Sequence, residues 1–151
     1  MAIREDLIKQ EGWERYPYKD SKGIWTIGVG HNMQEDKEMM MHFTKLQSEG
    51  LTDEQISELL TVDIQSKTNE VILRWPWVIN LNEPRLEAMI NLAFNMGTTR
   101  LSKFKRFLFA MQKERWEDAV KELLYTGENK TPYYITVGKR AEAVANQIKS
   151  A

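Results

Sequence analysis

The chain has 151 residues and a mass of 17.7 kDa, enough to bury a core without covalent staples and short enough that one compact domain is expected. Hydrophobic residues make up 42% and charged residues 28%, which excludes disordered and fibrous classes, and the absence of cysteine excludes disulfides, thiolate zinc sites and thiol nucleophiles. The formal net charge of −1 hides an asymmetry, with 9 Lys/Arg against 14 Asp/Glu in residues 1–80 and 12 against 8 in residues 81–151.

The first predicted element is a helix over residues 2–11, where Ile3, Leu7 and Ile8 form an apolar stripe and Gly12 stops it. Glu11 continues the 3, 7, 11 series, so its carboxylate is expected along the apolar face. Residues 16–31 read as a hairpin. Tyr16 to Lys19 and Ile24 to Val29 flank a turn built from Asp20-Ser21-Lys22-Gly23. Alternation in the second strand places Trp25, Ile27 and Val29 on one face and Thr26, Gly28 and Gly30 on the other. Glycines weaken a strand unless something approaches the backbone closely, so the second face is expected to be cleared for a ligand.

Residues 33–50 are charged and methionine-rich and give no clear assignment. Thr52-Asp53-Glu54-Gln55 has the form of a capping box and opens a long helix carrying Ile56, Leu59, Leu60, Ile64 and Val71. Asp63 falls on its apolar side, where an aspartate needs a partner, and His31 is the candidate. After Trp75-Pro76-Trp77, Asn82-Glu83-Pro84 starts another helix. It is apolar nearly all round from Leu86 to Met96 and belongs at the centre of a helical lobe, with Asn91 and Asn95 as polar exceptions. Amphipathic patterns follow at 101–111, 116–124 and 140–148, and residues 125–138 are a turn-rich interruption. The fold class is therefore α+β. One domain over 1–151 is expected, with a hairpin lobe at about 13–52, a connecting helix at about 53–73, and a helical lobe at about 75–151 near which the N-terminal helix packs.

Two carboxylates near glycines suggest acid/base work. Desolvation on an apolar helix face favours a protonated carboxyl, whereas a polar turn favours the carboxylate. One site can then supply both an acid and a base, the division of labour that glycoside hydrolysis requires. The Thr26 hydroxyl could hold a water near Asp20. With two histidines, His31 and His42, and no glycine-rich loop leading into a helix, no metal and no cofactor are expected.

The run Glu11-Gly12, Tyr18-Lys19-Asp20, Gly23 and Thr26-Ile27-Gly28-Val29-Gly30-His31 resembles the active-site segment of the phage-type lysozymes, the endolysin family. The likeness extends to Asp63, to Ile90 through Gly97 and to Arg115-Trp116, and so covers most of the chain. The resemblance implies a bilobed lysozyme-like fold and a muramidase that cuts the β-1,4 bond between N-acetylmuramic acid and N-acetylglucosamine. By position, Glu11 would be the general acid, Asp20 the base that activates water, and Thr26 the residue that positions the water. The family inverts at the anomeric carbon, so the two carboxyls are expected roughly 6.5–9.5 Å apart. Gly30, Asn32, Phe94 and Asn95 would meet substrate. His31, Asp63 and Arg140 would support the site, Arg140 by pairing with Glu11. Phe107, in contrast, is expected in the core.

The resemblance also implies a glycan strand of peptidoglycan as partner, a monomer, and dependence on a holin for access to the wall. The N-terminus, MAIREDLIKQEGW, lacks the apolar run of a secretory signal, and no segment approaches the roughly 20 apolar residues of a membrane span. The expectation is residence in the host cytoplasm before release, with no stable membrane association. The basic cluster Arg100, Lys103, Lys105 and Arg106 lacks interleaved stacking aromatics, so no nucleic-acid partner is expected. Two other classes fit less of the sequence: a catalytically weak peptidoglycan-binding or scaffold module of the same fold, and a helical interaction domain using the basic second half.

Overall fold

The computed structural model of the protein describes residues 2–151. The first helix, α1 (Ala2–Glu11), buries Ile3 and Leu7 along its apolar stripe. It ends where Gly12 takes φ +89° and its amide donates to the Ile8 carbonyl at 2.9 Å, the left-handed closure that glycine tolerates best.

Three strands follow: β1 (Glu14–Lys19), β2 (Trp25–Gly28) and β3 (His31–Asn32), forming an antiparallel sheet with β2 at its centre. The sequence reading missed β3, because two residues are too few to show alternation. Pro17 lies where the β1–β2 register shifts between Glu14 and Tyr18, an edge-strand irregularity that accommodates a residue without an N–H. Thr26 is aligned with Tyr18 on one side and with Asn32 on the other. Aligned residues share a sheet face, so these three side chains form one polar row.

Residues 33–50 resolve into a 3₁₀ turn (Met33–Glu35) and two short helices, α2 (Lys37–Met41) and α3 (Phe43–Glu49). Side-chain caps rather than periodicity start the first two: Asn32 Oδ1 accepts from the Gln34 and Glu35 amides, and Asp36 Oδ1 accepts from the Met39 amide. Elements this short carry no readable repeat.

The long helix α4 (Asp53–Arg74) opens on a reciprocal capping box. The Thr52 amide donates to Gln55 Oε1 at 2.8 Å, and the Gln55 amide donates to Thr52 Oγ1 at 3.1 Å.

Packing divides the chain into two compact units, one ending at Ser66 and the other beginning at Lys67. In the first, Ile3, Leu7, Ile27, Val29, Met33, Leu51, Ile56 and Leu60 are buried. Arg4 ties α1 to α4 by donating to Thr61 Oγ1 at 3.0 Å, to the Ser57 carbonyl at 3.1 Å and to the Ser57 hydroxyl.

The second unit contains a 3₁₀ turn (Pro76–Asn80), α5 (Glu83–Met96), α6 (Thr98–Leu101), α7 (Lys105–Gln112), α8 (Trp116–Leu124), the hairpin β4 (Tyr125–Thr126) and β5 (Asn129–Lys130), α9 (Pro132–Val137) and α10 (Lys139–Ser150). Asn82 caps α5, accepting from the Arg85 amide at 3.1 Å. Ala88, Met89, Leu92 and Ala93 of α5 join Leu101, Phe107, Met111, Leu123, Val144 and Ile148 in one buried cluster. Asn91, buried in this unit, accepts from Arg140 at 3.3 Å. The pattern at 101–111 is broken into α6 and α7 by the turn at 102–104. The interruption at 125–138 holds its own hairpin and α9, which Thr131 caps by accepting from the Tyr134 amide at 3.2 Å. Among the described residues no helix is long and apolar enough to cross a membrane.

Candidate active site

Glu11 is the last residue of α1 and is half-buried. Its carboxyl lies against Gly30 so closely that a Cβ on that glycine would stand 3.0 Å from Glu11 Oε2 and 3.1 Å from Cδ. Gly30 itself holds φ +64° in the turn between β2 and β3. The two constraints coincide, since any side chain there would be strained in its backbone and crowd the carboxyl.

Asp20 follows directly on β1 and opens the turn that the sequence indicated. Its Oδ1 accepts from the Lys22 amide at 2.8 Å and the Ile24 amide at 2.9 Å, and the Gly23 amide donates to its carbonyl at 2.9 Å. This is the aspartate turn motif. It fixes the carboxylate and leaves Oδ2 without a hydrogen bond to the described residues.

Thr26, at the middle of β2, is buried, and its hydroxyl donates to the Ile24 carbonyl at 2.8 Å. A hydroxyl whose hydrogen is engaged in this way meets any further partner as an acceptor.

The expectation of a face cleared by glycines needs correction. Gly28 takes φ +67°, which breaks the strand alternation and turns its open side toward α4. A Cβ there would meet Ile56 and Leu59 at 3.6 Å. Gly28 therefore packs against protein, and Gly30 lies in a turn beside Glu11 rather than in the strand.

His31 is clamped by two carboxylates. Nδ1 lies 2.7 Å from Asp63 Oδ2, and Nε2 lies 2.9 Å from Asp36 Oδ2. Burial of the ring opposes its protonation and is the largest single influence. The hydrogen bonds and charges of Asp63 and Asp36 together outweigh it, so the His31 pKa is raised from 6.5. For Asp36 burial also acts first, in the raising direction, but the Met39 amide and His31 overcome it and the pKa is lowered from 3.8. Asp36 was not singled out from the sequence. Its signal would have been its place as a cap residue shortly after the histidine.

Tyr18 also went unassigned, although it stands within the motif. It is aligned with Thr26 in the sheet. Its phenol pKa is raised from 10.0, first by burial and then by the charges of Glu11, Glu14 and Asp20, so it remains a neutral hydroxyl.

The first unit thus gathers Glu11, Asp20, Thr26, Gly30, His31, Asn32 and Asp63. The Asn32 Oδ1 is committed to its cap, so any substrate contact falls to its amide nitrogen. Phe94, Asn95 and Arg140 belong to the second unit. Phe94 and Asn95 are half-buried at the end of α5, and Arg140 reaches Asn91 there. Phe107 is 1% exposed in that unit's core. Among the described residues no group of three His, Asp or Glu side chains is arranged to hold a metal ion.

The family model for phage lysozyme matches residues 8–142. The chain belongs to the phage lysozyme family. It is 29% identical to a probable T4-type lysozyme 2 of Dictyostelium discoideum, with 81% of each chain covered. It is 34% identical to an endolysin of Salmonella phage P22 over 60% of this chain and 58% of that one. It is also 29% identical to the pre-baseplate central spike protein Gp5 of Enterobacteria phage T4, covering 80% of this chain but 24% of that protein. The enzyme is a glycoside hydrolase, a lysozyme of α+β fold, and peptidoglycan is the substrate class that its family implies.

Proposed function

We propose that this lysozyme hydrolyses the β-1,4 bond between N-acetylmuramic acid and N-acetylglucosamine by single displacement with inversion. Glu11 protonates the departing glycosidic oxygen, and Asp20 takes a proton from the attacking water. The observation that carries this reading is how Asp20 and Thr26 have committed their hydrogen bonds. Asp20 spends Oδ1 on two backbone amides and keeps Oδ2, while Thr26 spends its hydrogen on the Ile24 carbonyl and keeps its lone pairs. A water lodged between them donates one hydrogen to Asp20 Oδ2 and the other to Thr26 Oγ1. Its lone pair then points away from both, toward an anomeric carbon. Gly30 supports the acid by letting the turn backbone lie against Glu11 without a side chain between.

In the same reading Asn32, Phe94 and Asn95 contact the glycan, His31 and Asp63 hold the frame, and Arg140 is a supporting residue. The biological setting is lysis of a bacterial host by a monomer that waits in the cytoplasm until a holin opens the membrane.

The test is release of new reducing ends from purified peptidoglycan by the wild type beside Asp20→Asn, with the anomer of the first product read by NMR. Removal of a general base costs about 10²–10⁴-fold in rate, so the variant should fall by that factor, and the wild type should release the α-anomer from the β-linked strand. A variant of wild-type rate, or a β-anomer product, would remove Asp20 from the role of base. A folded wild type that binds the wall without cutting it would favour a binding module.

A further inference from the structure

We propose that Tyr18 is a substrate-contacting residue of this lysozyme, its phenol hydroxyl donating a hydrogen bond to the sugar ring whose anomeric carbon is attacked. The inference rests on the inverting reading of Glu11 and Asp20 above.

The argument begins with the sheet. Tyr18 is aligned with Thr26, which in turn is aligned with Asn32, so the three side chains share one face, with Thr26 in the middle. Opposed side chains in an antiparallel pair stand about 4.5–5.5 Å apart at Cβ. Tyr18 is therefore the immediate neighbour of the threonine that orients the water. The other neighbour, Asn32, has turned its oxygen to a cap.

Tyr18 also responds to the charges of Glu11, Glu14 and Asp20. In an inverting displacement, the acid and the base act on opposite faces of one sugar ring, with the water on the side of the base. A side chain that feels both carboxylates and sits beside the water-orienting residue borders that ring.

The hydroxyl is also uncommitted. The Tyr18 side chain is half-buried, makes no hydrogen bond to the described residues, and keeps its hydroxyl open to solvent. An accessible hydroxyl of this kind bonds to water until a ligand group takes that place. A phenol held neutral among carboxylates, with no partner in the protein, is suited to donate to a hydroxyl or an acetamido carbonyl of the substrate. As the ring flattens and becomes oxocarbenium-like, that bond would hold it in register with the water.

The experiment compares the wild type with Tyr18→Phe on soluble glycan fragments made from peptidoglycan, measuring kcat and KM separately and thermal melting alongside. Loss of one neutral hydrogen bond made mainly in the transition state should lower kcat about tenfold and leave KM within about twofold. The melting temperature should stay unchanged, because the hydroxyl bonds nothing in the protein. Equal kcat in variant and wild type would overturn the role of Tyr18 while leaving Glu11 and Asp20 in theirs. A fall in kcat matched by a lower melting temperature would make Tyr18 structural and overturn the proposal as well. A wild type that releases no reducing ends would overturn the muramidase reading and this one with it.

Discussion

In the second unit, Val71, Met89, Leu92, Leu101, Phe107, Met111 and Ile148 belong to one continuous buried cluster in which helix meets helix. The first unit buries a smaller set, Ile3, Leu7, Ile27, Val29, Met33, Leu51, Ile56 and Leu60, and holds its shape with directional polar contacts. Arg4 fastens α1 to α4, Asp20 fixes its turn, and His31 joins the β3 strand to Asp36 and to Asp63 of α4. The difference has a physical consequence. Packing stability depends on volume and is indifferent to pH, whereas a carboxylate–imidazole clamp depends on protonation. The unit that carries Glu11, Asp20 and Thr26 should therefore be the pH-sensitive one.

The largest effect expected is in the second unit. Phe107→Ala removes a side chain that is 1% exposed and should cost about 3–5 kcal/mol, the transfer loss plus the cavity left behind. Urea melts at several pH values should show the same loss at each. A loss that grew or shrank by more than about 1 kcal/mol between pH 4 and 8 would show that the helical core is coupled to a titrating group, and the contrast would fail.

The first unit supplies the complementary test. His31 has its pKa raised above 6.5, so its contribution is complete below that value and is lost as pH rises through the raised pKa. Asp36 has its pKa lowered below 3.8, so its contribution is complete above that value and is lost as pH falls through the lowered pKa. Both are fully present between about pH 3.8 and 6.5. Asp63→Asn keeps the shape but removes a charge from a 2.7 Å contact, and should cost about 1–3 kcal/mol within that window. The gap from wild type should narrow at alkaline pH, where the wild-type imidazole is neutral too. A gap that stayed constant to pH 9 would show that the contact acts without ionisation.

What the sequence disclosed follows the same division. Helices with a long stripe were legible, because burial imposes a period on them: α1, α4, α5, α8 and α10 were all anticipated. The capping box at Thr52 and the cap at Asn82 were legible because their side chains bond within three residues of themselves. The His31–Asp63 contact could be anticipated from a polar residue on an apolar face. The second clamp on His31 could not, because Asp36 introduces a five-residue helix with no periodicity. The face assignment of Gly28 failed for a different reason: positive φ is invisible in the residue name, and it reverses the side from which a strand residue looks out. Tyr18 was hidden by its ordinary appearance in a strand, where an aromatic needs no special explanation.

The smallest effect sharpens the contrast by removing what the two units share. Thr52→Ala opens the start of α4 in the first unit, and Asn82→Ala opens the start of α5 in the second. Each loses one side-chain acceptor to a backbone amide, both at 3.1 Å. Such a bond is worth about 1 kcal/mol at a helix start and depends on local geometry rather than on the core beneath it. The two losses should therefore agree within about 0.5 kcal/mol and be flat with pH, since neither side chain titrates. If Thr52→Ala proved costlier by about 1 kcal/mol or more, the first unit would owe its hold to the start of α4 as well as to the His31 clamp. Its pH dependence would then be a smaller share of its stability than the carboxylate–imidazole contacts imply.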